Sequence, residues 1–428
     1  MDRRRLGLTT ATALVIANMI GAGVFTSSGF ALADLGSRAI VLVAWLVGGV
    51  IALCGALSYS ALLRRMPESG GEYYFLSRTV HPLAGFLAGW VSLLAGFTAP
   101  IAVAALALAR YLGPATGLEL SAPWTATGAI LLAFGMHGLH LGRGVLLQNA
   151  IVALKLLLLL AFILLGLFHL PAMETPIDPG PPTAFDLGAF AVTLVWISFA
   201  YSGWNATAYI AGEVRNPERN ATRSLWLGCI IVGVTYLLLN AVFVYSAPIA
   251  ALAGKAEIGA IAAKALGGRS MEIFLSSIVA LALFTSVSSM ILIGPRVYAR
   301  MATDGLFPRL FHMDTAIPLK AMALQTLLAI AVVWISDLQS LLGYVGFTLG
   351  LSGAATVTAL LHQRRKFGPD QVPIPGYPLT PAFYILATLA VSAYLIARRP
   401  SEALAGLATL LVGLPLYYGF RQNPRRGS

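Results

Sequence analysis

The sequence predicts an all-α polytopic membrane protein of twelve transmembrane helices, and three observations predict it. Of 428 residues, 58% are hydrophobic and only 11% charged, with a mean hydropathy of +0.81, a balance outside the range of ordinary water-soluble domains. A sliding window of about 19 residues finds twelve apolar stretches, near 8–33, 39–63, 83–111, 124–139, 146–169, 185–213, 222–248, 271–300, 321–336, 339–362, 380–397 and 402–420. With the N-terminus inside, 20 of the 28 Lys and Arg residues fall on that side, seven on the other and one within a span. The positive-inside rule then predicts a multi-pass protein of the cell inner (cytoplasmic) membrane with both termini cytoplasmic.

In chain order, span one is longer than a signal-peptide core and is read as retained. Its stretch NMIGAGVF, Asn18–Phe25, sets Gly21-Ala22-Gly23 in mid-span, although glycine costs a helix interior about 0.8–1 kcal/mol relative to alanine. After span two, Glu68 and Glu72 flank a Gly-Gly in a cytoplasmic loop and read as solvated charge. Span four carries His137 and His140; no third ligand accompanies them, so they read as satisfied or interfacial histidines rather than a metal site. Span five holds Lys155, about nine residues in, too deep for its stem to snorkel to the surface. Span six carries FAYSGWN, Phe199–Asn205, with Ser202-Gly203 about halfway along, and Glu213 to Arg219 after it reads as solvated loop charge. Cys54 and Cys229 lie in apolar runs and read as small core residues, with no disulfide and no metal.

Several function classes drop out. The net charge of +11 is scattered over short loops, which argues against nucleic-acid binding. There is no phosphate loop, nucleotide fingerprint or strand-borne nucleophile elbow, so secondary transport is preferred to primary pumping, with no cofactor.

Spans one and six are five apart, and both look broken. Interrupted helices at matching positions of two five-span halves predict an inverted repeat with a binding site at its interface. Residues 1–170 form the first repeat and 184–363 the second, with spans eleven and twelve and the C-terminal tail, 379–428, outside it. In this topology the second half of span one offers free N–H groups at the midplane and the first half of span six offers free carbonyls. A small zwitterion matches both. Its carboxylate would meet the amides of Gly21, Ala22 and Gly23, beside Ile20, and its ammonium the carbonyls around Phe199, Ala200 and Ser202, followed by Gly203 and Asn205. Neither break contains an acid, so neutral amino acids are favoured. Gly23→Val is expected to abolish binding with folding largely intact.

FAYSGWNATAYIAGEVRNPERN, Phe199–Asn220, resembles L-amino acid transporters, the light subunits of heteromeric exchangers, and their prokaryotic relatives in the amino acid, polyamine and organocation superfamily. IGAGVF, PESGGEYYF and GPRVYARMATDGLFP extend the resemblance over the chain. It implies a LeuT-type fold of five plus five inverted spans with alternating access, sodium-independent exchange, and Phe199 covering the substrate. It also implies that Lys155 stands where sodium-coupled relatives hold a cation, its ammonium reaching the backbone near Gly21 and the hydroxyl of Ser288 or Ser289. Ala22 and Ser202 depart from the serine and glycine often found in the family. The loop Tyr111–Pro123 lacks the cysteine that joins light subunits to a heavy chain, so no disulfide-linked partner is expected and the single-chain prokaryotic branch fits better. Proton-coupled symport stays open beside exchange. A membrane-embedded enzyme would need a convergent acid, base or nucleophile at depth, and a sensor would be expected to carry a soluble signalling domain.

Overall fold

The computed structural model describes residues 6–119, 121–139, 141–169, 185–312, 317–336 and 338–421. His140, Arg3 to Arg5, Arg425 and Arg426, on which sequence expectations fell, lie outside these residues. Among the described residues every regular element is a helix, and one isolated bridge joins Leu6 and Val214.

Each apolar window falls on helix. The first becomes α1 (Leu8–Met19) and α2 (Ala22–Leu35), broken at Ile20-Gly21. Helix α3 spans Arg38–Arg65; after the short α4 (Gly71–Thr79) the third window forms α5 (Pro82–Val91), a π-helical turn at Ser92–Thr98 and α6 (Ala99–Thr116). Next come α7 (Ala122–Leu139), α8 (Leu141–His169), the interrupted pair α9 (Leu187–Tyr201) and α10 (Ala206–Tyr209), and α11 (Pro217–Tyr245). The short α12 (Ile249–Leu252) leads to α13 (Ile258–Ile293), which kinks at Gly267-Gly268 and continues as α14 (Pro295–Thr303). Helices α15 (Leu319–Ile335), α16 (Leu338–Phe367), α17 (Leu379–Arg398) and α18 (Pro400–Phe420) complete the order. Nine segments among the described residues are long and apolar enough to cross a membrane, and Leu187–Tyr201 and Leu319–Ile335 are shorter apolar helices.

The broken segments form the centre. Helix α2 packs on α9, α1 on α11 and α13, and α3 on α11. A Cβ on Gly23 would lie 2.5 Å from the Cα of Ala200, and one on Gly203 would lie 2.6 Å from Asn18 Nδ2, so the two breaks touch because three of these positions are glycine or alanine. Outer faces carry exposed apolar side chains, Leu157, Phe168, Leu386 and Leu411 among them, as a hydrocarbon environment requires.

One loop expectation is corrected. PESGGEYYF does not run as a solvated loop: Gly70 and Gly71, at φ 130° and 55°, turn the chain sharply into α4, which buries Glu72, Tyr73 and Phe75. Positive φ favours glycine at both positions. Glu68, before that turn, stays exposed and pairs with Arg300 at 3.0 Å. The Tyr74 hydroxyl, and then the Arg300 charge, hold its carboxyl below the ordinary range. The stabilisation from this contact is therefore present above pH 4.5 and is lost as pH falls through the lowered value.

Candidate functional site

At the first break Ile20 leaves the helix and Gly21 is extended; the Gly21 N–H folds back on the Met19 carbonyl at 2.8 Å. Helix α2 restarts at Ala22 without a side-chain cap, and no backbone hydrogen bond reaches the amides of Ala22, Gly23 and Val24. The free donors thus begin one residue later than the sequence suggests, because the turn itself consumes the Gly21 amide. These amides sit at the positive end of the α2 dipole.

At the second break Ser202 is extended and Gly203 has φ +94°, a left-handed conformation that favours glycine. Two of the three carbonyls expected to be free here are engaged. Phe199 O accepts from Ser202 N at 2.9 Å, and Ala200 O accepts from the Tyr236 hydroxyl at 3.1 Å. The same hydroxyl lies 2.7 Å from Met19 O. Tyr236, fully buried on α11, therefore ties the carbonyl ends of both broken helices to one group. It lies 31 residues beyond the second break by number, and no local pattern marked it. Tyr236→Phe leaves buried carbonyls short of a donor; we expect it to cost about 1–3 kcal/mol of stability, read as a lower Tm in detergent, and to weaken ligand binding.

A cavity of about 120 Å³ lies between the breaks. Gly21, Ala22, Gly23, Phe199, Ala200, Ser202, Gly203 and Asn205 line it, with apolar walls from Phe97, Val195 and Phe347. Ile20 does not. It is fully buried away from the cavity, because the chain turns at this residue.

Lys155 is fully buried, and its Nζ donates to Thr285 Oγ1 at 3.1 Å, rather than to Ser288 or Ser289. The Ser288 hydroxyl meets His137 Nε2 at 2.7 Å, and Ser289 Oγ is buried without a partner. Residues 285, 288 and 289 share one helix face, so the expectation had the right face and missed by one turn, about 5.4 Å. His137 is a buried histidine with a hydroxyl partner, and no group of three metal-ligating side chains occurs among the described residues. On the neighbouring face of α13, Ser286 lines the cavity beside Gly21.

Two acids read as solvated are not. Glu213 grips buried Arg296 with both carboxylate oxygens, and the segment around it is tied to the start of the chain by Leu6 N to Glu213 O at 3.1 Å. Glu72 lines the cavity: its Oε1 accepts from Asn205 Nδ2 at 2.5 Å and from the Tyr59 hydroxyl at 3.0 Å. A carboxylate thus stands beside the second break although neither break contains one.

The chain is similar in sequence to known amino acid transporters. The chain is 28% identical to the large neutral amino acids transporter small subunit 2 of Mus musculus over 435 residues, covering 97% of this chain and 81% of the relative. It is 25% identical to the Asc-type amino acid transporter 1 of Homo sapiens, covering 97% and 82%. The Homo sapiens cystine/glutamate transporter is 27% identical, with 98% and 85% covered. These relatives are transporters rather than enzymes, and they are animal proteins, so they give the prokaryotic branch no support. The amino acid permease model matches residues 6–408, and the chain belongs to that family.

Proposed function

We propose that this protein is a secondary transporter of L-amino acids, neutral ones above all, which works by alternating access across the cytoplasmic membrane without sodium and by exchange. The observation that carries the reading is the cavity lined by both helix breaks at once. A substrate carboxylate is held there by the amides of Ala22, Gly23 and Val24, and the apolar walls receive the side chain. The relatives' names, which specify amino acid transport, support the substrate class.

On this reading the chain has twelve spans in a LeuT-type five-plus-five arrangement, residues 1–170 and 184–363, with α17 and α18 outside it and both termini cytoplasmic. It acts as a single chain without a disulfide-linked partner, since residues 111–123 contain no cysteine. Counterflow in proteoliposomes with a panel of labelled amino acids tests the whole proposal: accumulation of a neutral amino acid against its unlabelled form is expected, and no counterflow with any amino acid refutes it.

Phe199 lines the cavity and is only 6% exposed. We assign it the role of covering the substrate. Phe199→Ala should slow uptake at least about tenfold, beyond the roughly 3–5 kcal/mol of stability its packing accounts for. Normal turnover, affinity and occlusion in a folded Phe199→Ala protein would remove that role.

A further inference from the structure

Two residues that line the cavity each carry a buried acceptor atom without a hydrogen-bond partner among the described residues. Glu72, 5% exposed, uses Oε1 for Tyr59 and Asn205, but its Oε2 is buried without a hydrogen-bond partner. No basic residue pairs with this carboxylate among the described residues. Asn18, which also lines the cavity, donates through Nδ2 to Gly203 O at 3.4 Å, while its Oδ1 is likewise buried and unpartnered. A buried acceptor left without a donor is unfavourable, and a buried carboxylate without a cation more so.

The chemistry that completes both atoms is a group that donates and carries positive charge. An ammonium has three donors and no acceptor. A hydroxyl or amide would supply a hydrogen bond and leave the carboxylate charge unmatched, and a second carboxylate would be repelled. Aromatic rings flank the site, with Tyr59 edge-on to Trp204 at 4.7 Å and Trp204 edge-on to Tyr384 at 6.1 Å, surroundings that also suit a cation. The preference for neutral side chains rested on there being no acid at either break. Asn205, itself at the second break, brings one there from α4.

We propose that Glu72 forms an ammonium subsite of the cavity, and that the protein accepts amino acids with a side-chain ammonium, such as ornithine, besides neutral ones. This rests on the amino acid transport reading. The α-ammonium lies at Asn18 Oδ1 by the first break and the side-chain ammonium at Glu72 Oε2, so two unpartnered acceptors receive two ammonium groups.

The test is equilibrium binding of leucine, ornithine and norvaline, the last being the ornithine skeleton without its terminal amine, to the purified full-length protein. Wild type should bind ornithine at least about tenfold more tightly than norvaline, the scale of one charge-assisted hydrogen bond. In Glu72→Gln that ratio should fall to about one, with ornithine losing more affinity than leucine, and Glu72→Asp should keep part of the preference. The wild-type ornithine-to-norvaline ratio needs no variant, and Tm checks the folding of each one. Leucine binding without ornithine binding in wild type, or an ornithine preference that survives Glu72→Gln, overturns the subsite. Equal loss of leucine and ornithine in a folded Glu72→Gln protein also overturns it, moving the α-ammonium onto Glu72. A wild type that binds none of the three overturns the transport reading itself.

Discussion

Gly23→Val is expected to abolish amino acid binding and to lower thermal stability together. The sequence suggests only the first effect, since a β-branched side chain would intrude where amides approach a carboxylate. The structure adds the second. A Cβ at Gly23 would sit 2.5 Å from Ala200 Cα, 2.6 Å from Ala200 Cβ and 3.1 Å from Ala200 N. These are mostly backbone atoms, so no rotamer change relieves the clash, and α2 must move off α9. Overpacking of this kind costs about 1–3 kcal/mol, occasionally more, and valine adds two further methyl groups. The displaced amides belong to the first turn of α2, so packing and site fail through one movement. Gly23→Ala should show the same two effects in smaller measure. The measurements are Tm in detergent and labelled leucine binding: a folded Gly23→Val protein with unchanged affinity would remove the amides of α2 from the site.

What the sequence made legible here is whatever lies in one helix. The windows fell on helices, and both breaks appeared where glycine interrupts apolar runs, because hydropathy and local backbone freedom act over a few neighbouring residues. Glu72 was misjudged for the complementary reason. Its helix α4 has only nine residues, too few to register as an apolar span, and opens next to Gly-Gly, and only its approach to Asn205, 133 positions away, brings it to the cavity. Tyr236 and Thr285 show the same limit at finer grain. A helical period gives the face that Thr285, Ser288 and Ser289 share, whereas the height at which Lys155 meets that face depends on how α8 and α13 slide past each other. The acid inside the site could have been suspected from PESGGEYYF, where three consecutive aromatics, Tyr73 to Phe75, follow the glutamate, a run unusual for a solvated loop.

The strongest functional loss outside the cavity should follow Lys155→Ala, with uptake falling at least about tenfold. Lys155 is fully buried on α8 and does not line the cavity. Its ammonium donates to Thr285, whose own hydroxyl donates to Ala282 O at 2.7 Å. The next residue, Ser286, has its Oγ 3.2 Å from where a Cβ on Gly21 would stand. The charge therefore reaches the first break through two consecutive residues of α13, and no acidic side chain pairs with it among the described residues. A buried cation is costly unless its surroundings supply acceptors, and a break whose extended backbone faces it gains from that field. Removing the ammonium should shift the equilibrium between conformations of α1 and α2, so uptake falls more than stability does. Thr285→Val, which keeps the shape and deletes the acceptor, should move transport in the same direction by less. If the fixed ammonium does electrostatically what a bound sodium ion does in related folds, wild-type uptake needs no sodium, and exchange continues when an imposed proton gradient is collapsed. The experiment is uptake into proteoliposomes without sodium, with the proton gradient present or collapsed, for wild type, Lys155→Ala and Thr285→Val. A strict sodium requirement in wild type or an unimpaired Lys155→Ala protein would sink the role of Lys155, whereas uptake that stops with the proton gradient would replace exchange by proton symport.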